Sequence, residues 1–586
     1  MLQGQMNISK VKLHNFRSVK DADFNLEDYS ILNGENNAGK SNIITAFRIF
    51  YEEQNIKFNE SIDFPKFDTD DQESWIEIEF LTTDEEQAKL KESYRAEDNI
   101  LRVRRYFKSA QYVKSNQSNI YGYENGILSA NLFYGAKNIS QAKLGKVIYI
   151  PDFSTTNEAF KLTGPSPFRD LVNFVFQKIV SNSPTFQSFN NIIDKFNTEF
   201  MAESTDGISM NDLQEKINED LKSWEVNFGM KVTQPEPKEI VKLMFSYYLR
   251  DKVLDENIEV SSYGHGLQRH LVYTLIKLSS EYVEKAEKGE SDSLSDFTLL
   301  LFEEPEAFLH PSQQIRLNIS LNKLATSEGT QVLISTHSPT FVSKNIKRLT
   351  SLLSVKKKKA VSEIFQLKDK DVEELFDENN GLFKKFSEIL SRPNIESKLE
   401  KEIKGRGLGQ ESIDDNIKLE EESLKYFMWL DAERAASFFA KHVIICEGAT
   451  EKVVFEYLMN KTLIDLIDKQ IYILDAMGKY NLHRYMNLFG KLGITHSVLY
   501  DKDNDKDINT IINDFIESKK NKYTKIILKC DKDFENFLGI KESPRKEKSN
   551  RKDLKPLNVI MKLDKSEIPQ KNLNELNDLL YKLCEF

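Results

Sequence analysis

The alternation of apolar and polar residues near the N-terminus predicts strands that lead into a helix. KVKLHNF (10–16) and WIEIEFL (75–81) alternate at period two, as the strands of a half-buried sheet do. YSILNG (29–34) is a short apolar run that ends in glycine, and SNIITAFRIFYEE (41–53) has the apolar spacing of an amphipathic helix. The first part of the chain is therefore predicted to be α/β.

Further along the chain, strands and helices alternate around a long, mostly helical stretch. Residues 168–250 have amphipathic helical spacing, and FTLLLFEEP (297–305) and TQVLISTHSP (330–339) then have the composition of buried strands. A charged, helical connector is predicted between about 365 and 435. A second α/β alternation begins near 441, and its later strands are predicted at 471–475, 496–501 and 525–530.

The composition is that of a large, acidic protein from a reducing compartment. The chain has 586 residues, 40% of them hydrophobic, which at about 100–200 residues per domain predicts about three structural units. Its net charge is −11, but nucleic-acid contacts depend on local basic patches rather than on the total. The three cysteines form no C-x-x-C pair, and no apolar signal core or membrane-length apolar run occurs. We therefore expect a soluble, cytoplasmic protein with no membrane partner.

The first candidate chemistry lies in GENNAGKS, which has the spacing G-x-x-x-x-G-K-S of a phosphate-binding loop. Its glycines allow backbone N–H groups to close around phosphate oxygens at the start of a helix. Lys40 is expected to reach the β- and γ-phosphates of ATP, and Ser41 to hold Mg²⁺. The residues predicted to bind the nucleotide are Gly34, Asn36, Asn37, Ala38, Gly39, Lys40, Ser41 and Asn42.

Two acidic residues and a histidine follow the later apolar strands. Glu303 and Glu304 stand at the carboxyl end of TLLLF. One carboxylate, assigned to Glu303, is expected to hold Mg²⁺, and Glu304 is expected to polarise the water that attacks the γ-phosphate. Two acids at a strand end are costly to bury without a cation, which favours this interpretation. His337 follows the next strand and is expected to hydrogen-bond the γ-phosphate.

A second group of acidic residues ends the strands of the C-terminal α/β region. Glu447 and Glu451 occur in CEGATEK, and Asp501 and Asp503 end a later strand. Residues two apart on a strand face the same way, and the carboxyl ends of parallel strands share one edge of a sheet. Carboxylate ligands suit Mg²⁺ or Mn²⁺, which promote phosphoryl displacement. A third acidic group after a strand comprises Asp531, Asp533 and Glu535.

One competing interpretation of this region is a calcium-binding EF-hand loop. DKDNDKDINTII begins with the required D-x-D-x-D pattern. Its sixth position is Lys506 instead of glycine, and its twelfth is Ile512 instead of glutamate. The EF-hand interpretation therefore fails, and a solvated acidic turn remains the plain alternative to a metal site.

The phosphate-binding loop, EEPEAFLHP and STHSP together resemble the ATP-binding-cassette (ABC) ATPase heads of the SMC and RecF type. The opening VKLHNFRSVKDADFNL resembles the first hairpin of these heads, with Arg17 in its NFR element. The resemblance implies a signature loop, SSYGHGLQRHL (261–271), in which Gly266 and Gln268 contact the nucleotide of a second subunit. It departs from transporter cassettes at His265, where they have serine. It also implies at least a homodimer, because two heads enclose the ATP.

The pattern E-G-x-x-E followed by D-x-D resembles the Toprim domain of topoisomerases, primases and nucleases. An SMC-like head followed by a Toprim domain resembles the overcoming-lysogenization-defect (OLD) family of ATP-dependent nucleases. The resemblance implies that Glu447, Asp501 and Asp503 bind metal and that Glu451 and Glu535 assist. It also implies a late catalytic lysine. Our choice is Lys555, with Lys552 and Lys562 as the competing positions.

The predicted fold class is therefore α/β, an ABC-type ATPase head with a helical insertion followed by a Toprim domain. The head is expected to comprise an N-terminal lobe and a C-terminal part. A helical connector is then expected to lead into the Toprim domain. The predicted boundaries are 1–165 for the lobe, 166–255 for the insertion, with a dimerising role, 256–365 for the C-terminal part, 366–440 for the connector and 441–586 for the Toprim domain.

The leading functional hypothesis is an ATP-controlled, metal-dependent endonuclease that cleaves DNA. The basic runs 541–556 and 355–361 are the candidate nucleic-acid contacts. Two alternatives stay open: a nuclease for RNA such as tRNA, and an ATP-dependent DNA-binding scaffold with an inert Toprim site. The OLD resemblance implies a role in defence against phage, in some cases with a separately encoded partner. Whether ATP activates or inhibits cleavage is open.

Overall fold

The computed structural model describes residues 6–137, 144–151, 208–224, 226–230, 248–264, 297–326, 329–345, 349–406, 430–503, 507–540 and 554–586, with short stretches between them. The chain divides into two compact units, Met1–Asp152 with Ser293–Phe586, and Phe153–Asp292. Several predictions fall outside the described residues: most of the helical insertion, His265 of the signature loop, Lys552, and the basic run from 541 to 553.

Strands and helices occur in both units, and β9 to β12 with α4 belong to the second. In chain order the strands are β1 (Asn7–Phe16), β2 (Val19–Asn25), β3 (Tyr29–Gly34), β4 (Ser74–Leu81), β5 (Ile100–Lys108), β6 (Ile120–Glu124), β7 (Ile127–Leu132), β8 (Lys146–Ile150), β9 (Ser204–Thr205), β10 (Ile208–Ser209), β11 (Leu249–Arg250), β12 (Asn257–Ile258), β13 (Thr298–Glu303), β14 (Thr330–Ser335), β15 (Leu352–Lys358), β16 (Val361–Phe365), β17 (His442–Cys446), β18 (Ile471–Asp475), β19 (His496–Asp501) and β20 (Thr524–Cys530). The helices are α1 (Lys40–Phe50), α2 (Glu60–Asp63), α3 (Asp84–Lys89), α4 (Met210–Leu221), α5 (Pro311–Ala325), α6 (Pro339–Asn345), α7 (Asp369–Leu390), α8 (Ser397–Gly405), α9 (Ala432–Ala435), α10 (Ala449–Lys461), α11 (Leu482–Lys491), α12 (Asp507–Ser518), α13 (Phe534–Phe537), α14 (Leu554–Asp564) and α15 (Gln570–Leu583). Of the helices in the described ranges, none combines the length and the apolarity that a membrane span requires.

The first unit contains a twelve-stranded sheet in the order β7-β6-β5-β4-β1-β2-β16-β15-β3-β14-β13-β8. Strand β3 lies between β15 and β14, parallel to both, and every residue of YSILNG is buried. Where β13 pairs with β14, Glu303 lies beside Ser335, and where β14 pairs with β3, Ser335 lies beside Leu32. The carboxyl ends of β3, β13 and β14 therefore meet at one edge, as ligand sites in parallel sheets require.

Strands β18-β17-β19-β20 form a second, four-stranded sheet in the same unit, and each neighbouring pair is parallel. The central strands β17 and β19 are almost wholly buried because helices cover them, which explains their continuous apolar sequences. The predicted strands 471–475 and 496–501 have the observed bounds of β18 and β19. In this sheet too, the strand ends share one edge, and the acidic residues that follow them are brought there.

The second unit contains two short antiparallel strand pairs, β9 with β10 and β11 with β12. Helix α4 begins at Ser209, whose hydroxyl accepts the Asp212 N–H at 3.0 Å while the Asp212 carboxylate accepts the Ser209 N–H at 3.1 Å. This reciprocal pair satisfies two backbone donors at the helix start. No α4 side chain is buried within the described part of this unit, so α4 adds no residue to its core.

Candidate nucleotide and carboxylate sites

The phosphate-binding loop connects β3 to α1 and depends on its two glycines. Gly34 has φ +147°, and a Cβ there would lie 2.2 Å from the Val355 carbonyl oxygen. Gly39 has φ +110°, and a Cβ there would lie 2.4 Å from the Ser362 hydroxyl oxygen. Both the backbone conformation and the space exclude a side chain at these positions. The loop therefore depends on glycine both for its own backbone angles and for its close packing against β15 and β16.

Lys40 lies inside the loop. Its Nζ donates to the carbonyl oxygens of Gly34 at 2.9 Å and Glu35 at 2.8 Å. Burial lowers the pKa of Lys40 to about 8, although the Glu304 carboxylate opposes this effect. Ser41 is exposed at the first turn of α1. An ammonium held by loop carbonyls at the start of a helix suits the phosphates of a nucleotide.

The predicted pair Glu304 and His337 is brought together at the neighbouring strand ends. The Glu304 carboxylate lies 3.5 Å from His337 Nε2, and the Glu304 N–H donates to the Ser335 carbonyl at 2.8 Å. Glu303, the last residue of β13, is buried. Burial, reinforced by the charge of Lys40, lowers the pKa of His337 to about 4. The imidazole is therefore neutral near pH 7 and has a single N–H to donate.

The sequence did not reveal the role of Glu306, the third acid of EEPEAFLHP. Its Oε1 accepts the backbone N–H of His337 at 2.5 Å, and its buried Oε2 has no hydrogen-bond partner. Burial raises the pKa of Glu306. Glu306 thus anchors the loop that presents His337. No local pattern distinguishes this acid from an exposed one, because its partner lies on a different strand.

The signature-loop residues belong to the second unit. Gln268 is buried, and its Nε2 donates to the carbonyl oxygens of Ser261 at 3.2 Å and Tyr263 at 2.6 Å. Gly266 lies two residues before Gln268, at the start of a helical turn. The amide of Gln268 thus shapes its own loop, and its contact with a second subunit's nucleotide, like that of Gly266, stays a prediction.

The structure brings the predicted carboxylates together at the edge of the four-stranded sheet. Glu447 follows β17, and its Oε2 accepts the backbone N–H of Asp501, the last residue of β19, at 3.2 Å. Asp503 follows in a left-handed conformation with φ +49°, and its N–H donates to the Lys532 carbonyl at 3.2 Å. Glu451 is buried in the first turn of α10. These acids therefore lie in one neighbourhood, although they follow two separate strands or, for Glu451, belong to helix α10.

The electrostatics of this carboxylate cluster fit a divalent cation. Burial raises the pKa of Asp501 to about 7, and the Glu447 carboxylate adds to the effect. Burial likewise raises the pKa of Glu451 to about 8 and that of Glu447 above its usual range. Asp501 Oδ1 is buried without a hydrogen-bond partner. Within the described ranges, no three His, Cys, Asp or Glu side chains are already arranged around a cation position. A bound cation would therefore have to draw its ligands closer together.

Lys479 is a second residue that the sequence did not reveal. It is buried, and its Nζ donates to the Asp501 carbonyl, to the Lys502 carbonyl at 3.4 Å, and to Asp503 Oδ2 at 3.4 Å. The preceding Gly478 has φ +113°, and its N–H donates to the Glu447 carbonyl at 2.7 Å. This short turn after β18 therefore ties the ends of β17 and β19 together.

The third acidic group divides into structural and candidate functional residues. Asp531 is exposed and pairs with Lys502, and Asp533 caps α13 by accepting the Asn536 N–H at 2.7 Å. Glu535 lies 3.1 Å from Lys555 Nζ. Partial burial by itself lowers the pKa of Lys555. The Glu535 carboxylate and the other nearby carboxylates have the larger combined effect, so the pKa of Lys555 is raised. Of these three acids, Glu535 is the one with a basic partner from α14.

We expect the affinity of the metal-free protein for Mn²⁺ to rise between pH 6 and pH 8, by up to about tenfold per pH unit for one displaced proton. The proton on Asp501, with its pKa of about 7, must leave before this carboxylate binds a cation, and the cation's charge also favours loss of the proton from the neighbouring Glu451, with its pKa of about 8. Calorimetric titration in two buffers of different ionisation enthalpy measures the affinity and the proton release. A Glu451→Gln variant is the control and should release fewer protons. Affinity that is independent of pH would contradict the assignment.

Comparisons with known proteins match two regions of the chain to domain families. Residues 6–205 and 169–342 match the family described as "AAA ATPase domain", and residues 438–503 match "Overcoming lysogenization defect protein-like, TOPRIM domain". The chain is 25% identical over 517 residues to Old nuclease of Escherichia phage P2, covering 85% of this chain and 77% of that protein. It is 25% identical over 523 residues to endonuclease GajA of Bacillus cereus (strain VD045), covering 85% and 75% respectively. The solved SMC head domain from Thermotoga maritima aligns with 62% of this chain and 99% of its own, at 13% identity and a TM-score of 0.31.

Proposed function

Because the chain belongs to the AAA ATPase domain family and has an OLD-like Toprim domain behind its ATPase domain, we propose that it is an ATP-controlled, divalent-metal-dependent endonuclease that cleaves DNA. The predicted order of the two domains is confirmed, and the chain is an ATPase and an endonuclease. The observation that carries the metal dependence is the buried carboxylate cluster at the ends of β17 and β19, with Asp501 Oδ1 lacking a partner.

In the ATPase half, each residue has a role that follows from its position. Lys40, at the centre of the loop, binds the β- and γ-phosphates, and Ser41 with Glu303 holds the accompanying Mg²⁺. Glu304 orients the attacking water. The neutral His337, 3.5 Å from Glu304, donates its N–H to the γ-phosphate. Glu306 holds the backbone of His337, which keeps that N–H in place.

In the nuclease half, Glu447, Asp501 and Asp503 are the residues that would hold a divalent cation, Mg²⁺ or Mn²⁺. When bound, the cation supplies charge neutralisation and polarises the scissile phosphate and its attacking water. Lys479 positions the turn that presents Asp501 and Asp503. Lys555, oriented by Glu535, is assigned to contact a phosphate oxygen, and Glu451 completes the cluster from α10.

ATP control of cleavage is supported by a bridging segment, residues 431–440, which includes α9 and leads directly into β17. On the ATPase side, the His337 ring lies 6.3 Å from that of Phe439, and Lys356 Nζ donates to the carbonyls of Phe438 at 3.3 Å and Ala440 at 3.2 Å. On the Toprim side, Arg434 Nε donates to the Asp475 carbonyl at 3.0 Å. A change at His337 thus has a contiguous path to β17, the strand that precedes Glu447.

These contacts also correct the prediction for the basic run 355–361. Lys356 contacts the bridging segment, and burial lowers the pKa of its ammonium to about 8. It is therefore committed to backbone carbonyls and does not serve as a phosphate contact. Lys357 to Lys359 are exposed around the β15–β16 turn, so these three lysines remain candidate contacts for nucleic-acid phosphates.

A Phe439→Ala variant should lose the effect of ATP on cleavage, because it removes the ring that His337 contacts. We expect the ratio of cleavage rates with and without ATP to move from its wild-type value towards one, while ATP hydrolysis stays within about threefold. Both rates are measured on the same preparation. A Lys357→Met variant, altered at an exposed position of the hairpin, is the control. An unchanged ratio in the Phe439 variant would exclude this route of coupling.

The partners we propose are DNA and at least one further copy of the chain. The OLD resemblance also supports a role in defence against phage, with a separately encoded protein in some cases. The Toprim chemistry does not distinguish deoxyribose from ribose, so RNA is tested beside DNA. Oligomeric state is measured by light scattering with and without a slowly hydrolysed ATP analogue, which should favour the larger species if two heads enclose the nucleotide.

Incubation of the purified protein with supercoiled plasmid tests the proposal. Lanes contain Mg²⁺, Mn²⁺ or EDTA, each with and without ATP, and a parallel set contains tRNA. Nicked or linear plasmid that disappears in EDTA is the expected result, and the ATP lanes give the sign of control. Cleavage of tRNA with intact plasmid would replace DNA by RNA as the substrate. ATP hydrolysis without cleavage of either substrate would contradict the nuclease proposal.

A further inference from the structure

Two neighbouring residues of the large sheet, Asn33 of β3 and Ser354 of β15, are buried without hydrogen-bond partners. They lie side by side in the register of the two strands, and both side chains are fully buried. Within the described chain, the amide nitrogen and oxygen of Asn33 and the hydroxyl of Ser354 are all unpaired. Such a group has lost its hydrogen bonds to water without replacement, so each destabilises the state in which it is buried.

The alternation of side chains along β3 and β15 fixes the face on which these groups lie. Leu32 of β3 and Leu353 and Val355 of β15 belong to the hydrophobic core on one face of the sheet. Successive side chains of a strand point to opposite faces. Asn33, which follows Leu32, and Ser354, which lies between Leu353 and Val355, therefore point to the other face.

The bridging segment packs on that other face. Lys356 lies two residues after Ser354 and so shares its face, and its Nζ donates to the carbonyls of Phe438 at 3.3 Å and Ala440 at 3.2 Å. The turn Ala436–Phe439 also packs against β3. The docked position of the bridging segment is thus tied down by Lys356 on a face that also carries the unpaired polar groups.

Lys356 also links the bridging segment to the phosphate-binding loop. Burial lowers the pKa of Lys356 to about 8, and the Glu35 carboxylate of the loop opposes this effect. Burial is likewise the main cause of the lowered pKa of Lys40, and the charge of Lys356 adds to it. These charges are therefore close enough to act on one another. Nucleotide phosphates at Lys40 would attract the Lys356 ammonium and compete with the two carbonyls that hold it.

We propose that nucleotide at the phosphate-binding loop releases the bridging segment from β3 and β15, and that the unpaired groups of Asn33 and Ser354 keep its docked state weak enough for this. The inference rests on the proposed function, because it supplies a mechanism for ATP control. On release, water reaches the Asn33 amide and the Ser354 hydroxyl and restores their hydrogen bonds. Release therefore costs less than it would from a wholly apolar face, and a modest difference in nucleotide affinity between the two states drives it.

Hydrogen–deuterium exchange of the full chain tests the release directly, in peptides that cover residues 431–440. In the wild-type protein, a slowly hydrolysed ATP analogue should speed exchange of these amides by about fivefold or more. Ser354→Ala removes one unpaired hydroxyl and adds no volume, so exchange without nucleotide should be slower by about fivefold. The same variant should move the ratio of cleavage rates with and without ATP towards one, with ATP hydrolysis within about threefold of the wild-type rate.

Ser74→Ala is the matched control for this substitution. Ser74 of β4 is also fully buried with an unpaired hydroxyl, but β1, β2 and β16 separate its strand from β15. Both serine variants should unfold at a higher temperature than the wild-type protein, because each loses a buried polar group that has no partner. Only Ser354→Ala should change exchange in the bridging segment and the response of cleavage to ATP.

Three results would count against these assignments in different ways. Exchange in residues 431–440 that is unchanged or faster in Ser354→Ala would overturn the inference, because the hydroxyl would then not weaken docking. An ATP analogue that slows this exchange in the wild-type protein would overturn release by nucleotide, and ATP-dependent cleavage would still support the proposed function. Wild-type cleavage at the same rate with and without ATP would instead contradict ATP control, and with it the regulatory role of the release.

Discussion

Asp501→Asn protein should leave supercoiled plasmid intact under conditions in which the wild-type protein cleaves it, with a rate lower by about a thousandfold or more. Asparagine keeps the shape of the side chain but removes the negative charge of a proposed metal ligand. Asp501 Oδ1 has no hydrogen-bond partner, so the substitution breaks no described side-chain bond at that atom. The measurement is plasmid cleavage in Mg²⁺, with ATP hydrolysis on the same preparation as evidence of an intact head.

The same substitution should make the metal-free protein less sensitive to alkaline pH. The raised pKa of Asp501, about 7, means that folding stability is lost as pH rises through that value, because the buried carboxyl then becomes charged. Asparagine has no proton to lose. We therefore expect the drop in melting temperature between pH 6 and pH 8, measured in EDTA, to be smaller in the variant than in the wild-type protein.

Asp531→Asn is the matched control for the Asp501 substitution. Asp531 comes from the neighbouring strand end but is exposed and pairs with Lys502. Surface ion pairs contribute about 0–1 kcal/mol, so cleavage by this variant should stay near the wild-type rate. Loss of cleavage in both variants would mean that the region is merely fragile. Cleavage retained by Asp501→Asn would remove the carboxylate cluster as the nuclease centre.

Lys479→Met should raise the Mg²⁺ concentration needed for half-maximal cleavage by about 10–100-fold, the range that loss of an outer-shell partner produces at metal sites. The ammonium holds the carbonyls of Asp501 and Lys502 and the carboxylate of Asp503. Without it, the turn that presents two of the three proposed ligands loses its shared donor. Methionine preserves most of the buried aliphatic volume, so the change is chiefly one of charge and hydrogen bonding.

If Lys479 positions the metal ligands, its loss should change the metal requirement of cleavage but not ATP hydrolysis, whereas loss of a general structural residue should impair both activities. We expect excess Mg²⁺ to restore cleavage in Lys479→Met and ATP hydrolysis to be unaffected, and direct Mn²⁺ titration should show the weakened affinity without any cleavage. Lys502→Met is the control, because Lys502 lies between the proposed ligands Asp501 and Asp503 but its ammonium pairs with the exposed Asp531. Equal metal requirements for Lys479→Met and the wild-type protein would contradict the role.

The bridging segment and the carboxylate cluster differ in how far they could be predicted. The acids at the strand ends were identifiable because a strand is recognisable by its own residues, and the first polar residue after it must lie at the sheet edge. The bridging segment has no such pattern: its contacts with His337, Lys356 and Asp475 join residues that are distant in sequence. No local periodicity encodes contacts of that kind.

By itself, the sequence determined the phosphate-binding loop, because the positive φ angles that require Gly34 and Gly39 belong to the loop itself, although their close approaches to Val355 and Ser362 arise only in the folded sheet. It also determined which strands end in acidic residues. Only the tertiary structure decided that Glu447 meets Asp501, that Lys479 contacts the Asp501 carbonyl, that Glu306 contacts the backbone of His337, and that Asp531 pairs with Lys502 while Asp533 caps α13. The order β18-β17-β19-β20 places these groups side by side, and strand order depends on packing across the whole sheet.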